Sequence, residues 1–288
     1  MRNPIVSGSF YPQNKKQLQD QINESINSAD ISKILQQKTY GVVVPHAGYN
    51  YSGKCAGYAY SQIKQDCYDT FIVLGTNHTG YAESDFAVCS QDFKTPLGIC
   101  HTDGELLKEI IELGKNRGIF VGETEKDKLA HKNEHSIEVQ IPFIQTISNR
   151  SKILPIICKT GEIEKQKSFA SIIIEASKKM KREIFIIASS DLTHFGFSYG
   201  FTPFHSSIKE NLHKMDLEAV SLITKFKSKE FLDYANETTI CGSNAISTCI
   251  EICKALGSKN AKLLNYYTSA DLSDDYSASV GYASIAFS

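Results

Sequence analysis

The sequence predicts an α/β protein, a single three-layer α/β/α domain spanning residues 1–288 around a central mixed, mostly parallel sheet. Three observations predict it. Short β-branched runs alternate with longer helical patterns, as in strands joined by crossover helices. No repeat, low-complexity segment or Pro/Gly-rich linker divides the chain. Several apolar runs also stop at a Gly, Pro or Ser cluster carrying a histidine, as expected where loops leave the carboxyl edge of an open sheet.

The bulk numbers narrow the function classes. Hydrophobic content of 41% and charged content of 22% describe an ordinary globular chain and exclude a mostly disordered one. A net charge of −1 leaves no electrostatic footprint for nucleic acid or an anionic membrane. The basic run Lys178–Arg182 falls at a helix end, where cations suit the dipole. No apolar run reaches secretory or membrane-spanning length, so a cytoplasmic location is expected. The 8 cysteines are expected to be reduced thiols, and none forms the C-x-x-C pair of a zinc knuckle.

Taken in order, Ser7–Pro12 reads as a turn-rich lead-in and Lys15–Asn27 as a polar helix. Gly41–Val44 reads as a strand buried on both faces, stopped by Pro45 and Gly48 with His46 at its carboxyl end. For His46 alone, a histidine hydrogen-bonded within a tight turn is the competing reading. A helix rich in small residues is expected over Lys54–Ile63. Phe71–Leu74 repeats the pattern, with Asn77 and His78 in its terminal loop. Two such units in succession favour a functional pair.

Further strands are expected at Phe86–Ser90, Ile153–Cys158 and Glu183–Ala188, with a turn at Lys94–Gly98. Helices are expected over Gly104–Lys115 and Ile163–Lys179, and a charged mobile loop over Lys126–Asn133. Glu134 is read as a helix start, placing Glu134 and Glu138 on one face beside His135. The dipole there disfavours a cationic His135 and suits a neutral base or donor. The strand ending at Ala188 leads to Asp191 and His194, a spacing at which a carboxylate can fix an imidazole tautomer; an Asx-turn is the alternative.

Phe204–Met215, Leu217–Thr224 and Lys229–Ala235 read as helices, with His205 and His213 on the surface. Cys241 precedes the helix Ala245–Leu256, where backbone N–H groups and the dipole stabilise a thiolate. Cys249 and Cys253 share a helix face and read as core. Strands close the chain at Leu263–Tyr267 and Ser279–Ala286, around an acidic loop, Asp271–Asp275, expected to be solvated.

His46, His78 and Cys241 are therefore two imidazoles and a thiolate expected at one sheet edge, an open-site donor set for iron, copper or zinc. At these residues the sequence resembles the Memo family, called AmmeMemoRadiSam system protein B in archaea and bacteria. The resemblance rests on Pro45–Tyr49 with Ser52-Gly53, Leu74–His78, Thr95–Leu97, Glu134–Glu138, Ser189–His194 and Thr239–Gly242. That family is similar to the LigB-type class III extradiol dioxygenases, in which two histidines and a glutamate hold ferrous iron and a further histidine is the acid/base. The resemblance implies His46, His78 and Cys241 as metal ligands, with Cys241 in place of the glutamate. It implies His194 as the acid/base, with Asp191 nearby, and puts Glu134 and His135 near the pocket.

The cofactor expected is iron(II) or copper, with zinc behind them and no nucleotide. Ring cleavage does not carry over, because a thiolate stands where the dioxygenases have a carboxylate. Family association also suggests AMMECR-domain and radical-SAM partner proteins. Three functions are compatible with these residues. One is a redox or oxygen-handling metalloprotein, in which His194, Asp191 and His135 serve the chemistry. Another is a non-catalytic module holding a small molecule or peptide in a pocket lined by Tyr49, Tyr51, Glu134 and Asn77. The last is a cysteine nucleophile with a histidine base.

Overall fold

The computed structural model describes every residue of the chain except 31, 33, 34 and 36. Helix α1 (Lys15–Asn27) precedes β1 (Gly41–Val44) and α2 (Tyr49–Tyr60). Strands β2 (Thr70–Gly75) and β3 (Phe86–Val88) follow, then the hairpin β4 (Phe93–Thr95) and β5 (Gly98–Cys100). Helix α3 (Gly104–Asn116), β6 (Val121–Gly122) and α4 (Glu125–Asn133) lead to a 3-10 turn, Glu138–Gln140, and α5 (Ile141–Ile147). Next come β7 (Lys152–Cys158), α6 (Ile163–Met180), β8 (Ile184–Ser189) and β9 (His194–Gly196). Helices α7 (Ile208–Thr224), α8 (Ser228–Ala235) and α9 (Ser243–Leu256) precede β10 (Ala261–Thr268), the short α10 (Ala270–Ser273) and β11 (Ala278–Phe287).

The main sheet has the order β10-β11-β1-β8-β2-β7-β3-β6, with β9 paired to β11. Its centre, β1-β8-β2-β7, is parallel throughout, and antiparallel strands flank it. The alternation of side chains sorts each central strand between two cores. Val43, Ile72, Leu74, Leu154, Ile156 and Ile186 face α3, α6 and α9. Val42, Val44, Phe71, Val73, Ile153 and Ile187 face α1, α2 and α5. Each fully buried Val, Ile or Leu contributes about 1.5–3 kcal/mol. This burial on both faces makes the strands read as unbroken apolar runs.

The domain is thus the expected three-layer α/β fold, with several local departures. Residues 126–133 are not a loop: Thr124 and Asp127 form a capping box that starts α4. Glu134 ends that helix rather than opening another, so it and Glu138 do not share a helix face. Helix α2 begins at Tyr49, five residues before the expected start. Residues 208–224 form one helix rather than two. The acidic loop is anchored, because Asp271 pairs with Lys209 and His213 and receives the Thr268 N–H. His205 is exposed, whereas His213 is half-buried by its pairing with Asp271.

In-register parallel pairing brings the ends of the central strands together: Val44 lies beside Ser189, and Leu74 beside Ala188. Pro45, Thr76 and Ser190 therefore leave the sheet at one edge, carrying the loops of His46, His78 and Asp191 with them.

Candidate metal centre

Each member of the centre arrives on a different element. His46 follows β1, His78 follows β2, and Cys241 lies just ahead of α9. Gly242 lets the last of these approach: a Cβ there would lie 2.6 Å from the Ser190 Cβ, and its N–H donates to Ser190 Oγ at 2.9 Å. Cys241 Sγ then lies 3.3 Å from His46 Nε2. One donor atom from each of His46, His78 and Cys241 falls within 4.8 Å of the other two. The imidazoles of His46 and His78 meet edge-on, with centroids 5.1 Å apart.

The connection from α4 to the 3-10 turn closes the edge. Gly75 has no side chain to obstruct it, since a Cβ there would lie 2.9 Å from Ser136 Oγ. Glu134, buried, accepts the His78 ring Nδ1–H at 2.8 Å, the His78 backbone N–H at 3.0 Å and the Ser136 N–H at 2.8 Å. His135 stacks on His78 with centroids 4.7 Å apart, meets His46 at 5.4 Å, and carries Phe10 against its edge at 5.0 Å. His78, Glu134 and His135 likewise bring donor atoms within 4.8 Å of one another.

The electrostatics divide these groups. Burial works against a charged His46, but the neighbouring Cys241 and Asp191 outweigh it and raise its pKa to about 9. For His78, burial is overcome by hydrogen bonds to Cys241 and Glu134, and the pKa rises to about 10. Cys241 is held well below the usual thiol range: burial raises it, but the His46 charge and hydrogen bonds from both imidazoles win. Burial also opposes the Glu134 carboxylate, yet the His78 hydrogen bond and charge bring it to about 2. Burial and then the charge of His46 push His135 down to about 4, so it is neutral. That neutrality, expected from a helix dipole, comes from burial and neighbours instead, because His135 lies between helices.

Other expected site residues are placed differently. Asp191, buried, uses its Oδ1 to accept the His46 backbone N–H at 2.7 Å, bracing the β1 loop. His194 Nδ1 lies 3.0 Å from the Leu192 carbonyl and 3.1 Å from that of Thr239. Carbonyls only accept, so Nδ1 carries a proton. Tyr49 does not line the pocket. Its hydroxyl donates to the Val139 carbonyl at 2.7 Å, and its ring packs on Tyr11 and Phe143 in the core. Tyr51 is 55% exposed on the first turn of α2. Asn77 is half-buried and shapes its own loop, accepting the Ala82 N–H.

Ser189, whose Oγ lies 3.1 Å from His46 Nδ1, and Gln140, which donates to that oxygen, are given no role by a sequence reading because a lone Ser or Gln carries no chemical signature. The buried residue Glu138 is absorbed elsewhere. It accepts from Arg2 Nη1 at 2.7 Å, Tyr11 Oη at 2.7 Å, and the N–H groups of Ile5 and Val6. It therefore fastens the N-terminal segment carrying Phe10 onto the site. Among the described residues, no helix is long and apolar enough to cross a membrane.

Comparison with known proteins identifies the family. The family model described as "Memo-like protein" matches residues 2–286. A MEMO1 family protein of Nitrosopumilus maritimus is 35% identical, covering 100% of this chain and 99% of its own. One of Thermococcus onnurineus is also 35% identical, with the same coverage. A third, of Methanosarcina mazei, is 34% identical over 99% of this chain and 98% of its own. Matches of this length make the chain a member of the Memo family.

Proposed function

We propose that this protein is a non-haem metalloprotein that holds ferrous iron or a copper ion on His46, His78 and Cys241. The observation that carries this reading is the contact of Cys241 Sγ with His46 Nε2 at 3.3 Å, with the third donor, His78, in reach. Two imidazoles and a thiolate suit a borderline-to-soft cation, with zinc less favoured for a redox role. Three protein ligands also leave room for an exogenous molecule.

A bound redox ion would supply electron transfer and Lewis acidity toward oxygen or a small oxygen-donor substrate, in a pocket like that of the extradiol dioxygenases. The remaining groups have separable tasks. His194 Nε2 is the atom that takes or returns a proton. Neutral His135, stacked on His78, presents an uncharged polar edge to a ligand. Asp191 and Glu134 hold the two ligand loops in place.

Metal content after anaerobic purification tests this reading, comparing wild type with His46→Ala and Cys241→Ala. Near-stoichiometric iron or copper, lost in both variants, is expected. Absence of metal after reconstitution with ferrous and cuprous ions would overturn it. Selective alkylation of Cys241 in such a metal-free protein would instead favour a cysteine nucleophile.

One observation favours a second reading, in which the pocket binds a peptide or small molecule without turnover. Phe197 is 89% exposed and Tyr199 44%, the latter edge-on to His194 at 5.1 Å, so an aromatic rim adjoins the site. Ligand capture that survives chelation but is lost in Phe197→Ser would support it.

A further inference from the structure

A chain of buried hydrogen bonds beneath His46 has only one consistent direction. Ser189 Oγ lies 2.7 Å from the Ser136 carbonyl oxygen. A carbonyl cannot donate, so the single hydroxyl proton of Ser189 is committed there. Gln140 Nε2 lies 2.9 Å from the Pro45 carbonyl, which fixes that atom as the amide nitrogen, and 2.9 Å from Ser189 Oγ. The amide oxygen, Oε1, accepts from Tyr60 Oη at 2.9 Å. Ser189 Oγ thus donates once, accepts once from Gln140, and has one lone pair left for His46 Nδ1 at 3.1 Å. Only a protonated Nδ1 satisfies it.

We infer that Ser189 and Gln140 are positioning residues that hold the proton of His46 on Nδ1, so that Nε2 is the nitrogen presented to Cys241. Free histidine in water prefers the opposite tautomer, so the network reverses an intrinsic preference. Tyr60, Gln140, Ser189 and His46 are all at most 2% exposed, which denies water the chance to exchange roles with them. His78 reaches the same result by another route, its Nδ1–H held by the Glu134 carboxylate. Both imidazoles then offer Nε2, and both have their other nitrogen tied to the protein, as ligating histidines require. The purpose of this arrangement rests on the metal reading; the position of the proton does not.

Long-range 1H–15N correlation spectra of the 15N-histidine-labelled protein test the inference, metal-free at a pH where the His46 ring is neutral and with zinc as a diamagnetic probe. A protonated His46 Nδ1 is expected in both states of the wild type. In Ser189→Ala and in the near-isosteric Gln140→Glu, the proton of the neutral, metal-free ring is expected to redistribute toward Nε2, with zinc affinity falling 10–100-fold. An unprotonated His46 Nδ1 in the wild type overturns the inference, and this reading needs no variant to fold. Unchanged spectra and affinity in both folded variants overturn it as well. A wild type with protonated Nδ1 that binds no metal supports the proton assignment while refuting the metal reading.

Discussion

The Glu134 carboxylate grips His78 twice, taking the ring Nδ1–H at 2.8 Å and the backbone N–H at 3.0 Å. One buried side chain thus sets both the orientation of an imidazole and the path of its loop. Charge assistance strengthens both bonds, since Glu134 is held ionised at about 2. Glu134→Gln keeps the shape but removes the charge and places an amide nitrogen against one of these donors. Its metal affinity is expected to fall 10–100-fold, measured by competition titration against a chelator, with the circular dichroism spectrum unchanged.

Glu138→Ala should act through stability and the N-terminal segment. Removing this carboxylate leaves Arg2, 5% exposed, without its charge partner. Breaking a buried pair on one side costs about 3–5 kcal/mol, measurable by urea unfolding. The amides of Ile5 and Val6, which donate to Glu138, should lose hydrogen-exchange protection ahead of the sheet. Unchanged protection would show that the segment is held by other contacts.

Asp216 provides a pH test away from the candidate ligands. It is buried, accepts from Thr193 N–H at 3.1 Å and Tyr266 Oη at 2.9 Å, and lies against Gly281. Burial raises its pKa to about 6, above the ordinary aspartate value of 3.8, although its hydrogen bonds oppose this. The folded state therefore holds a proton that the unfolded chain has released. Its contribution is fully present below about pH 4 and is lost as pH rises through about 6. Relative to Asp216→Asn, the wild type should lose about 2–3 kcal/mol between these limits. Carboxylates with lowered pKa, such as Asp103 and Asp127, act in the opposite sense, so the difference between the two unfolding curves is the quantity to measure.

Thr124→Ala tests the start of α4. The Thr124 side chain accepts the Asp127 N–H, and Asp127 returns a bond to the Thr124 N–H. Loss of such a cap costs about 1 kcal/mol, read as a shift in the denaturation midpoint at constant slope. No shift would mean that Asp127 alone, through Ser84 and Glu83, holds this end of the helix.

Much of this architecture is legible in the residue pattern, and its failures have identifiable causes. The runs Gly41–Val44 and Thr70–Gly75 are apolar on both faces because helices cover both, so their strand character survives without any tertiary information. Residues 126–133 mislead because α4 is polar overall and its start depends on a capping box rather than on an apolar stripe. Tyr49 misleads in the other direction. An aromatic beside a candidate ligand suggests a pocket wall, but the early start of α2 turns its side chain into the core. The partner of Asp191 is the His46 backbone, supplied by a neighbouring strand, and not the histidine three residues on in sequence.

The sequence by itself determined the central buried strands and the presence of His46 and His78 at strand ends, because periodicity, turn residues and burial on both faces are local properties. Only the tertiary structure decided what those histidines face. Cys241 and His46 are 195 positions apart, and Ser189 reaches His46 through the parallel register of β1 and β8. Whether an imidazole presents Nδ1 or Nε2 depends on which distant carbonyl or carboxylate lies beside its other nitrogen. That is a relation between strands rather than between neighbours in the chain.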